Sequence, residues 1–184
     1  MAKGKALFAA LLAAGSAPAL AGVMVIGASS ARMCYEAAES PVLPQTGDVR
    51  RCDAALNEDH LTLYETVATH VNRGILRLRR GQVEEAIADF DRAMALDADQ
   101  PEAYLNKGAA LIRRNNPEDA LGLFTMALER NTSRPEIAHF GRAVANEALG
   151  NVSQAYADYR RASELAPQWA EPRTELQRFR VISR

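Results

Sequence analysis

Apolar residues recur at helical spacing through most of this chain, and the pattern itself recurs. The segments VEEAIADFDRAMAL (83–96), PEDALGLFTMALER (117–130) and VSQAYADYRRASEL (152–165) align. Ala86, Ala120 and Ala155 correspond, as do Phe90, Phe124 and Tyr159, and then Ala93, Ala127 and Ala162, at offsets of 34 and then 35 residues. Each small–aromatic–small trio covers two helical turns and so lies on one helix face. Upstream of each stands a second matching segment: VNRGILRLRRG (71–81), LNKGAALIRRN (105–115) and FGRAVANEALG (140–150). Small residues at Gly74, Gly108 and Ala143 allow close helix approach, and Gly81, Asn115 and Gly150 break the chain. The pattern predicts a helix–turn–helix unit used three times.

Period, spacing and small residues in these columns resemble the tetratricopeptide repeat, whose unit is about 34 residues. The resemblance covers 67–169, divided as 67–100, 101–134 and 136–169, and implies an all-α solenoid. The large apolar residue usual in the family's first helix is replaced by Arg73, Lys107 and Arg142, and the aromatic one turn later by Arg77, Leu111 and Asn146. Of the closing prolines only Pro167 keeps its place; Pro101 and Pro135 stand at the next unit's start. These departures loosen the expected packing of each first helix without changing the fold. Such repeats serve many partners, so the resemblance names none.

The first residues differ. Lys3 and Lys5 precede Ala6–Ala31, a stretch with no charged residue. An apolar run at Leu7–Leu12, an interruption from Gly15 to Pro18 and the small-x-small Ala19-Leu20-Ala21 read as an export signal, 1–21, cleaved after Ala21. The competing reading is an uncleaved inner-membrane anchor, since an uncharged stretch of this length can span a bilayer. Arg32-Met33 before Cys34 argues against a lipid anchor on that cysteine. Formal charge is −1 for the whole chain. Loss of Lys3 and Lys5 leaves 20 basic and 23 acidic residues, a charge of −3. Neither balance suggests nucleic acid, which selects a basic face.

Cys34 and Cys52 are the two cysteines, both before the repeats. In an oxidising compartment an even pair favours a disulfide, closing a loop whose constraint is estimated at about 3 kcal/mol. Two separately buried thiols are the plainer alternative. The segments 29–40 and 47–58 read as short helices joined through Pro41, Pro44 and Gly47, a degenerate hairpin capping the array within 22–66, with 58–66 linking it to the repeats. At the other end, 170–184, Ala170–Val181 reads as a polar-faced helix covering the last unit, as solenoid ends require. Trp169 reads as core.

No constellation for turnover emerges. His60, His70 and His139 form no ligand pair, and His70 and His139 read as core rings. No glycine-rich phosphate loop follows a strand, and no serine sits in a nucleophile elbow. Glu84, Glu85, Asp89, Asp91, Glu118, Asp119 and Asp158 read as a solvated outer face. No enzyme activity, metal or cofactor is therefore expected. The informative surface is the inner wall of the first helices. Val71, Ile75 and Leu78, then Leu105, Ala109 and Ile112, then Phe140 and Val144, form an apolar stripe ending at Glu147.

Beside it, Asn72 and Arg79, and again Asn106 and Arg113, are seven residues apart and project from one side. A carboxamide offers donor and acceptor to a backbone, and a guanidinium offers a fork to a carboxylate. The expected role is protein–protein contact: a partner peptide or helix in the concave groove, held by Asn72, Ile75, Arg79, Asn106, Ala109, Arg113, Phe140 and Val144, with the arginines as anion anchors. Two readings compete with it. The asparagines can brace helices while Arg79, Arg80, Arg113 and Arg114 cap helix ends, or Gly22–Ala28, itself apolar, can fill the groove. The chain is thus read as a periplasmic scaffold or adaptor of a bacterium. The alternatives are an inner-membrane-anchored structural subunit, with membrane contact only if the N-terminus is uncleaved, or a noncatalytic accessory to an envelope enzyme. No oligomeric state follows.

Overall fold

The computed structural model describes residues 21–25, 30–57 and 60–179, and regular structure among them is entirely helical. Residues 1–20, 26–29, 58–59 and the tail after 179 lie outside the described residues, and with them most of the expected export signal, the end of Gly22–Ala28 and the start of the expected linker. In chain order the helices are α1 (Ser30–Glu39), α2 (Thr46–Asn57), α3 (Leu63–Arg79), α4 (Val83–Leu96), α5 (Pro101–Arg113), α6 (Pro117–Glu129), α7 (Pro135–Ala148), α8 (Val152–Leu165) and α9 (Ala170–Leu176). They pair as hairpins α1–α2, α3–α4, α5–α6 and α7–α8, each packed on the next, with α9 against α8.

Rings set into small residues hold the hairpins. Phe90, Phe124 and Tyr159 are buried, as are the alanines that flank each of them. A methyl group added at Gly74 would stand 2.5 Å from the Phe90 ring, and one at Gly108 2.9 Å from Phe124. Gly141, in the following hairpin, meets the same Phe124 ring from the other side. One phenylalanine on α6 therefore joins α5 to α7, so closing a hairpin and stacking the next share a contact. Each such ring is worth roughly 1.5–3 kcal/mol in removed surface alone.

Local signals place the helix ends. Gly81 and Gly150, at φ +80°, and Asn115, at φ +60°, take the left-handed conformation that closes a helix. Pro101, Pro117 and Pro135 open α5, α6 and α7, where the missing N–H costs no helical bond. The α3 helix starts earlier than expected, inside the stretch read as a linker. Thr62 accepts from the Glu65 N–H while the Glu65 carboxylate accepts from the Thr62 N–H, a reciprocal cap written in the sequence as T-x-x-E.

At the front of the array Cys34 on α1 and Cys52 on α2 form a disulfide with Cα atoms 4.9 Å apart. At the back, α9 stops at Leu176, short of the predicted Val181. Phe179 continues the cover beyond the helix, its ring 5.7 Å from Tyr156 and 5.9 Å from Tyr159. Trp169 is core as expected, packed 4.8 Å from Phe140.

Because the Phe124 ring serves two hairpins, Phe124→Ala should cost about 3–5 kcal/mol in denaturant unfolding. A cost near that of a surface change would refute its place between Gly108 and Gly141.

Candidate functional site

The first helices touch one another in sequence, α1 to α3, α3 to α5 and α5 to α7. Neighbours that close along one row make that row the inner wall of a curved stack. Val71, Ile75, Leu78, Leu105, Ala109, Ile112 and Val144 are all buried on it. Phe140 departs from the expected stripe, because its ring sits between Tyr159, at 5.3 Å, and Trp169.

The wall is covered by the chain's own N-terminal segment. Residues 21–25 have no regular secondary structure; Ala21, Val23 and Val25 are buried while Met24 is 55% exposed. This alternation is that of an extended strand lying on a surface. The Asn72 Oδ1 accepts from the Val23 N–H at 2.9 Å, and Asn72 Nδ2 donates to the Val23 carbonyl at 2.8 Å. On the next first helix, Asn106 Nδ2 donates to the Ala21 carbonyl at 3.0 Å. Its Oδ1 is buried and has no hydrogen-bond partner among the described residues. The Gly22 N–H donates to Glu39 on α1 at 2.9 Å, and the Tyr64 hydroxyl donates to the Met24 carbonyl at 2.8 Å. The segment is held through its backbone by α1, α3 and α5 together.

Of the expected site residues, Asn72 and Asn106 do meet a peptide backbone, and it is the chain's own. Ile75 and Ala109 lie buried beneath the same wall. The arginines behave differently from the expectation. Arg79 donates to the carbonyls of Ala38, Ser40 and Val42, at the end of α1. Arg113 donates to the Leu78 carbonyl, in the last turn of α3. Each thus covers the carbonyl end of the preceding first helix, where positive charge is favoured. Arg80 likewise leaves its own helix, reaching the Pro44 carbonyl and the Thr46 hydroxyl. Burial pulls the Arg79 and Arg113 guanidiniums down from the usual arginine value, with Glu39 and Asp48 partly offsetting it at Arg79. In the last repeat Ala148 stands in the arginine column, and Glu147, in the column of Leu78 and Ile112, accepts from Tyr159 and Arg178.

A second correction concerns the acids. Asp89 and Asp158, expected on the solvated face, are only 2% and 6% exposed. Arg73 grips Asp89 with two nitrogens, His70 Nδ1 lies 3.2 Å away, and Arg77 adds a bond at 2.7 Å. Arg142 and His139 hold Asp158 in the same way. His70, Arg73 and Asp89 recur at His139, Arg142 and Asp158, so the signal was present as a spacing between the two helices of one hairpin. The middle unit has Tyr104, Lys107 and Leu123 in these columns, and Lys107 pairs with Asp91 instead. Among the described residues no three His, Cys, Asp or Glu side chains are grouped to hold a metal ion.

The family model of the tetratricopeptide repeat matches residues 71–135 and 110–168. The chain belongs to the tetratricopeptide repeat family. Among solved structures it is similar to the first such domain of Spaghetti (RPAP3) bound to the HSP90 peptide SRMEEVD, at 26% identity and TM-score 0.59, over 66% of this chain and 94% of that one. It is also similar to the first such domain of human RPAP3, at 26% identity and TM-score 0.58, over 61% of this chain and 88% of that one. The Arabidopsis OM64 domain shares the fold at 23% identity and TM-score 0.60, over 64% of this chain and 96% of that one. Among curated proteins none is similar enough to match. Of the positively charged residues that depart from the tetratricopeptide pattern, Arg73, Arg77 and Arg142 clamp Asp89 and Asp158, and Lys107 pairs with Asp91.

Burial raises both carboxyls, but the bonds from His70 and Arg73, or His139 and Arg142, outweigh it and hold them below the usual range. A carboxyl whose folded pKa is depressed stabilises fully above its unfolded value, about 3.9. That contribution disappears as pH falls through the lower folded value. Urea midpoints should therefore drop as pH falls below about 4. Asp89→Asn should cost about 3 kcal/mol at pH 7 and flatten that acid slope; an unchanged slope would contradict the buried clamp.

Proposed function

We propose that this chain is an exported protein-interaction module of a bacterial envelope, a scaffold or adaptor whose concave groove grips an extended peptide by its backbone. The observation that carries this reading is the two-way bond between Asn72 and Val23. One carboxamide satisfies both polar groups of a residue without touching its side chain, while alternate side chains sink into the wall. Asn106 repeats the arrangement with its acceptor still open. The ligand so defined is an extended segment with small or β-branched residues at every second position. The cis segment is one such ligand, and a partner's segment of the same pattern is another.

Kinship gives the same direction. The tetratricopeptide fold supports protein–protein contact, and one similar domain is bound to a peptide. The small-x-small motif ending at Ala21 supports export to the periplasm, with interaction rather than turnover as the role. In this reading the cis segment competes with the partner, so apparent affinity falls with the fraction of molecules whose groove is open.

Val23→Asp with Val25→Asp, made in the full chain, places two carboxylates in the wall and should eject the segment. A fluorescein-labelled AGVMV peptide should then bind at least on the order of tenfold more tightly than to the unaltered chain, by anisotropy. Adding Asn72→Ala should abolish the gain. Absence of peptide binding by the ejected variant would overturn the groove reading.

A further inference from the structure

The bond that follows Ala19-Leu20-Ala21 joins Ala21 to Gly22, and the Gly22 nitrogen is the one that faces Glu39 Oε1 at 2.9 Å. We propose that Glu39 is the receptor for the protein's mature N-terminus, a new α-ammonium created at Gly22 by removal of residues 1–21. Hydrolysis of that bond by an endopeptidase that cuts after small residues consumes one water. It leaves a carboxylate on Ala21 and an amine on Gly22, which takes up a proton at neutral pH. Ala21 is buried in the folded chain, so the cut precedes docking of the segment.

Three observations point to Glu39. It is the last residue of α1, where the helix end already carries partial negative charge, and the last turn holds no basic residue. A carboxylate there is unfavourable unless a cation joins it. Its two oxygens are divided: Arg134 stands 3.9 Å from Oε2, with Arg79 also in the field of the carboxylate, while Oε1 faces the Gly22 nitrogen. A Cβ on residue 22 would stand 2.4 Å from Oε1, so a larger residue following the cut would push the Glu39 carboxylate away from the nitrogen. Amine capture by fixed acceptors is an established way of holding a chain end. Here it would fasten the front of the groove segment to the cap, while Asn106 loses the Ala21 carbonyl and turns wholly toward an incoming backbone.

This rests on the export proposed above and not on the partner. The test uses protein recovered from the envelope of a bacterium expressing the full chain. Intact mass should show a chain beginning at Gly22; one beginning at Met1 or at any other residue overturns the proposal and leaves the groove reading untouched. The α-amine is then acetylated at pH 7 with labelling followed by mass spectrometry. Because a paired ammonium resists deprotonation, labelling of Gly22 should be on the order of tenfold slower than in a free GVMVIG peptide, and Glu39→Gln should remove the difference. A Gly22 amine labelled as fast as the free peptide, or equally slow in Glu39→Gln, would refute Glu39 as its receptor with export intact.

Discussion

Asn72 is fully buried, and a carboxamide removed from water needs both an acceptor and a donor or it costs about 1–3 kcal/mol for each unmet group. Both come from the backbone of Val23. The helices around it cannot supply them, because their own N–H and carbonyl groups are spent on the i to i−4 ladder. An irregular strand with free backbone groups is the economical solution. The inner wall, the segment upon it and the interaction role all follow from that requirement.

The stack that buries Asn72 is built by rings entering gaps left by glycine. Phe90 against Gly74 and Phe124 between Gly108 and Gly141 bring helices close, so the first helices meet along one row and the array curves around them. Arginines at the ends of first helices then cover the carbonyls of the preceding one: Arg79 over α1, Arg113 over α3. The same gesture on α1 and α3 identifies the disulfide-bonded hairpin as a degenerate first unit of the array. Buried ion pairs gain little over well-packed apolar residues, yet are costly to break. The clamps on Asp89 and Asp158 therefore fix which face of α4 and α8 turns inward more than they raise stability.

Much of this was legible in the chain. The trios around Phe90, Phe124 and Tyr159 and the breaks at Gly81, Asn115 and Gly150 depend on local spacing, which a sequence displays directly. The pairing of Cys34 with Cys52 was expected from their even number in an oxidising compartment. Asp89 and Asp158 were misread because an acid on a charged helix looks solvated until its partner on the facing helix is known. Arg79 and Arg113 were misread for a related reason: a long side chain has reach, and spacing records only where it starts. Glu39 and Tyr64 escaped notice because each acts on a segment far away in the chain. Occupation of the groove by Gly22–Ala28 stood among the open readings, and for its described part, 22–25, only the geometry at Asn72 chose it.

The most direct measurement is amide hydrogen exchange of the Val23 N–H in the full chain. If Asn72 holds it, this amide exchanges far more slowly than in an unstructured peptide, and Asn72→Ala restores fast exchange while the amides of α4, α6 and α8 stay protected. A Val23 amide that exchanges at the free-peptide rate in the unaltered chain would contradict the seated segment, and with it the ligand chemistry read from that seat.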